Sequence, residues 1–148
     1  MKLIKYLFIT VFILTAVTPA TAKSKKKNIP QRVYVFGFAA SFNDTIVHFT
    51  EIQPLDSVWL SNKNTFMRSR DLYSNQLRNY LTQQKMPYRT CVIFFDRKIG
   101  RLQKKFLKMK NLYTNGKKGQ PTNNDVRTIA NSDFRFQTID FDDTANGQ

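Results

Sequence analysis

Residues 32–42, Arg-Val-Tyr-Val-Phe-Gly-Phe-Ala-Ala-Ser-Phe, constrain the fold more than any other stretch of this chain. In an extended backbone successive side chains alternate between faces, so Val33 and Val35 fall on one side and Tyr34, Phe36 and Phe38 on the other. Both faces are apolar, which predicts the central strand of a sheet. Asn43-Asp44 is a turn signal, and Thr45–Ile52 reads as a second strand that closes a hairpin, with Pro54 expected to end it.

A polar connection containing Trp59 and Asn62 to Asn64 follows. Over Thr65–Gln84 the apolar residues Phe66, Tyr73, Leu77, Tyr80 and Leu81 share one helical face, which predicts a first helix. Past Pro87, Tyr88–Asp96 contains Cys-Val-Ile-Phe-Phe and reads as a buried third strand. The clearest periodicity lies in Lys98–Tyr113, where Ile99, Leu102, Phe106, Met109 and Tyr113 form one stripe. Lys98, Arg101, Lys104, Lys105 and Lys108 group on the other side of that predicted second helix. Asn115–Asn124, with Gly116, Gly119 and Pro121, is a loop, and Phe134–Phe141 alternates as a final strand. A short additional strand is admissible near Val126–Ala130.

The order β-β-α-β-α-β predicts an α+β two-layer sandwich: a mixed or mostly antiparallel sheet of about four to five strands with two helices on one face. No internal repeat is present. A hairpin followed by a helix bearing Arg68, Arg70 and Arg78 is similar in order alone to the GIY-YIG nucleases. Neither tripeptide is present, and no glutamate follows Asp96 to serve as the metal ligand of that family.

The first 22 residues carry an address. Lys2 and Lys5 precede the apolar run Tyr6–Val17, and Ala20-Thr21-Ala22 provides small residues for cleavage. The expectation is a cleavable signal peptide over 1–22, export to the periplasm or beyond, and no integral span afterwards. Residues 23–31 then form a basic leader with four lysines in Lys23–Lys27, 32–141 a single domain, and 142–148 a frayed tail. Removing 22 of 148 residues leaves 126, enough for one core. Cleavage also takes away Lys2 and Lys5 and no acid, so the formal charge of +14 becomes +12.

In an exported protein that imbalance points to an anionic envelope component, namely a lipid headgroup, glycan or nucleic acid, with a protein partner as the other option. Between Arg97 and Asn124 there is no carboxylate, while Lys98, Arg101, Lys104, Lys105, Lys108, Lys110, Lys117 and Lys118 fall there. The residues expected to bind anions are Lys25, Lys26 and Lys27 of the leader and Lys104, Lys105 and Lys108 of the second helix.

Covalent and metal chemistry are thinly represented. Cys91 is the only cysteine, so no intramolecular disulfide forms, and in an apolar strand it packs as a small hydrophobe. One histidine, His48, cannot build a multi-histidine metal site. A Cys91–His48 nucleophile pair lacks any flanking motif. Asp140, Asp142 and Asp143 cluster at the terminus without the loop spacing that calcium needs. No metal, nucleotide or flavin signature appears, no cofactor is expected, and no catalytic residue is assigned. The reading is a non-enzymatic binding or interaction module; the alternative is an envelope hydrolase whose site is assembled from residues distant in sequence.

Overall fold

The computed structural model describes residues 30–61, 66–117, 120 and 122–140. The expected signal peptide, most of the leader and the tail lie outside them. The elements are β1 (Gln31–Ala40), β2 (Ile46–Thr50), β3 (Gln53–Val58), α1 (Arg70–Gln83), β4 (Thr90–Asp96), α2 (Ile99–Asn115) and β5 (Asp125–Ile129). They form an α+β domain around one mixed, five-stranded sheet.

β1 is central. Through Tyr34–Ala40 it pairs antiparallel with the whole of β4 and, on its other side, with β2 and β3 in succession. β5 adds in parallel to β2. The β2–β3 strand does not end at Pro54, which pairs with Tyr34 inside β3. Its register against β1 slips by one residue near Gly37: Phe38 faces Phe49, whereas Val35 faces Gln53. At this bulge the Gly37 N–H donates to Thr50 Oγ1 at 2.8 Å, so a side chain replaces the missing ladder bond. Among the described strands β3 pairs only with β1, and an edge position tolerates a proline.

The two helices, expected on one face, lie on opposite faces, giving three layers rather than two. Val33, Val35 and Ala39 of β1 pack with Tyr73, Leu77 and Leu81 of α1. Phe36 and Phe38 pack with Leu102, Phe106 and Tyr113 of α2. The cause is the two-sided apolarity of β1 itself, since leaving either face wet would expose several large side chains. The α2 side is an aromatic layer in which Phe36 stacks on Phe94 at 5.1 Å and meets Phe106 edge-on at the same distance. Gly37 opens the opposite side. A Cβ there would stand 2.6 Å from Leu77 Cδ2 and 3.2 Å from Phe136 Cζ, so its absence lets α1 and the C-terminal segment reach the sheet.

Two expected helix positions are corrected. Phe66 precedes α1 and is exposed, and Ile99 begins α2 at its exposed end. Phe134–Phe141 is not a strand over its described part; the fifth strand is Asp125–Ile129, the segment read as admissible. Phe134 and Phe136 are nevertheless buried. The Gln53 side chain donates to Phe134 O at 2.8 Å and accepts from Phe136 N–H at 3.0 Å. Gln76 does the same for Gln137, and the Ile139 N–H donates to the Tyr73 hydroxyl. Side-chain amides thus satisfy a backbone that a neighbouring strand would otherwise satisfy.

Candidate functional site: a basic cleft at the end of β4

β4 ends at Asp96, and the chain turns through Arg97 and Lys98 into α2. Asp96 organises that turn: its Oδ1 accepts from the Lys98 N–H at 2.7 Å and from Arg101 Nη2 at 2.8 Å and Nε at 3.1 Å. α1 begins at the same end of the sheet on the opposite face. Its first residue, Arg70, reaches the strand, where Nε donates to Ile93 O at 2.9 Å and Nη2 donates to the same oxygen.

These contacts frame a cleft of about 320 Å³ lined by Arg70, Phe94, Phe95, Asp96, Arg97, Arg101 and Lys105. A second depression, lined by Gln31, Arg32, Arg97, Lys98 and Arg101, adjoins it through the shared arginines. Four cations therefore surround one carboxylate that is already engaged by three donors. Arg70 and Arg101 are each held through Nε and Nη2, which leaves their Nη1 groups outside those bonds. Arg97 makes no ion pair among the described residues. Lys105 Nζ sits 4.7 Å from the centroid of the Phe94 ring, whose packing on Phe36 ties the cleft wall to the core.

The residues expected to bind anions separate here. Lys104, Lys105 and Lys108 are all exposed on α2, but only Lys105 lines the cleft. Lys25, Lys26 and Lys27 lie outside the described residues. Arg70, Arg97 and Arg101 were not among the expected binders. Their convergence depends on helices from opposite faces meeting at one strand end, and only the Asp96-Arg97-Lys98 run marks it locally.

With this geometry in place, comparison with known proteins adds no family. No family model, curated protein or solved structure matches the chain.

The other candidate chemistry is electrostatically quiet. His48 on β2 and Cys91 on β4 both pair with Ala39 of β1, so two strand spacings, about 10 Å, separate their backbones. His48 is buried with Nδ1 unpartnered. Burial, reinforced by Arg89 and Arg127 against Asp44 and Asp125, lowers its pKa to about 4. Burial pushes the Cys91 thiol up despite Arg78 and Arg89. A neutral thiol and a neutral imidazole set on either side of β1 are the reverse of the adjacent thiolate–imidazolium pair that nucleophilic catalysis uses. Arg89 is buried and structural: Nη1 donates to Ile46 O at 2.8 Å, and Nη2 pairs with Asp44 Oδ2 at 2.7 Å. Among the described residues no three His, Cys, Asp or Glu side chains group as metal ligands, and no helix is long and apolar enough to cross a membrane.

Proposed function

We propose that this protein is a non-enzymatic binding module whose cationic surface holds it to an anionic component of the envelope or the extracellular space. The observation that carries the reading is the convergence of Arg70, Arg97, Arg101 and Lys105 on one cleft with a single, already bonded carboxylate. Three cations in excess within so small a volume attract phosphate, sulfate or carboxylate groups and release counterions on binding. Export rests on the pattern of residues 1–22. In the sequence Lys25–Lys27 precede Gln31, which lines the adjoining depression, by four to six residues.

The hydrolase alternative is less favoured, because neither His48 nor Cys91 lines the clefts and both are held in their neutral forms. Sedimentation with phosphatidylglycerol vesicles and retention on heparin and single-stranded DNA test the proposal. Binding to at least one polyanion should be lost between about 0.1 M and about 1 M salt. The variant Lys104→Gln/Lys105→Gln/Lys108→Gln should bind more weakly without unfolding, because all three side chains are exposed. Failure to bind all three polyanions at low salt, or retention through high salt, would refute it.

A further inference from the structure

Resting on the anion-binding reading, we infer that the cleft at the end of β4 is a receptor for a terminal phosphate monoester rather than for a diester backbone. A flat field of lysines, such as Lys104 and Lys108 on the outer face of α2, senses only charge density. The cleft differs in three respects. It is concave and about 320 Å³ in volume, large enough for a compact headgroup. Its cations are mostly arginines, whose planar forks match phosphate oxygens in pairs. Two of those forks are also fixed before any ligand arrives: Arg70 by the carbonyl of Ile93 and Arg101 by Asp96. Pre-set donors lose little conformational freedom on binding, so geometry as well as charge decides what fits.

A monoester carries about −1.5 to −2 at neutral pH and presents three free oxygens. A diester carries one charge and has two substituents to accommodate. Three excess positive charges converging from α1, the β4–α2 turn and α2 suit the first. Asp96 does not oppose it strongly, because its carboxylate is compensated by Arg101 and the Lys98 N–H. Arg97, with no ion-pair partner among the described residues, is the side chain most available to the ligand. The two sources of this chemistry are a free phosphorylated metabolite and the headgroup of a monoester lipid.

The full chain is titrated calorimetrically with glycerol 3-phosphate and with glycerophosphocholine. In parallel it is sedimented with vesicles containing phosphatidic acid or phosphatidylglycerol at matched surface charge. The expected result is at least a tenfold preference for the monoester in one of the two formats. Soluble binding identifies the free metabolite as sufficient; preference confined to vesicles identifies the lipid. Arg97→Gln should abolish the preference, whereas Lys104→Gln/Lys108→Gln, which removes more charge from outside the cleft, should keep it. Equal binding of monoester and diester, or an unchanged preference in Arg97→Gln, overturns the inference while leaving polyanion binding intact. Absence of binding to every anion removes both readings.

Discussion

The buried imidazole of His48 makes the stability of this domain depend on pH in a window that can be calculated. Its folded pKa is about 4, against the ordinary 6.5 expected of the unfolded chain. Between those values the unfolded state binds a proton that the folded state refuses, so acidification favours unfolding. Above about pH 6.5 both states are neutral and the residue has no effect. As the pH falls through the window the folded state loses about 1.4 kcal/mol per unit, and from pH 7 to pH 4.5 the loss comes to about 2 kcal/mol. Burial of the ring sets the sign: it disfavours the charged form, Arg89 and Arg127 reinforce it, and Asp44 and Asp125 offset it only in part. Asp44 acts in a separate, lower window. Its burial is outweighed by the Ile46 N–H and Arg89, which hold its carboxyl below the usual value, so its stabilisation is lost only as the pH falls through that lowered value. Urea unfolding at pH 7.0, 5.5 and 4.5 checks the calculation. The wild-type midpoint should fall by about 1–2 M across the series, given a slope of about 1–3 kcal/mol/M. In His48→Gln, whatever its stability at neutral pH, the decline should be smaller by the histidine's share. Parallel declines in the two proteins, or a wild-type midpoint that stays flat, would refute the reasoning.

Two other substitutions probe the packing that positions the site. Gly37→Ala places a methyl against Leu77, which is fully buried and can yield only by shifting α1, so a loss of about 1–3 kcal/mol in thermal or urea unfolding is expected. A neutral effect would show that α1 slides freely on the sheet. Gln53→Leu leaves Phe134 O and Phe136 N–H without their partner, and the 134–139 segment should exchange its amides faster while the β1–β4 ladder stays protected. Unchanged exchange at Phe136 would refute the role assigned to the amide.

The sequence is most legible where one periodicity acts alone. The α2 stripe of Leu102, Phe106, Met109 and Tyr113 and the alternation of β1 both survive in the structure, because one helix covers each apolar face. Pro54 misled because a proline normally closes a central strand, whereas here it lies on an edge strand beyond a bulge. Phe134–Phe136 has the alternation of a strand and its burial but not its pairing, since Gln53 and Gln76 take the backbone bonds from a distance of over sixty residues. β5 is short and polar on its exposed side, so its parallel pairing with β2 leaves little trace in composition. The cleft was hidden for a topological reason. Lysine runs are visible as runs, but Arg70 and Arg97 become neighbours only after the chain has crossed from one face of the sheet to the other.

Arg70 gives the fold a property that outlasts the question of its ligand. β4 pairs only with β1 among the described strands, and its sequence Thr-Cys-Val-Ile-Phe-Phe-Asp is an apolar ribbon with one side open. An open ribbon of this composition is a template on which foreign strands assemble. By holding Ile93 O, the arginine interrupts that template midway. Two copies of this chain that meet along β4 therefore find a guanidinium where a continuous ladder would need a free carbonyl, and the same side chain that braces α1 against the strand keeps the edge from pairing with its own kind.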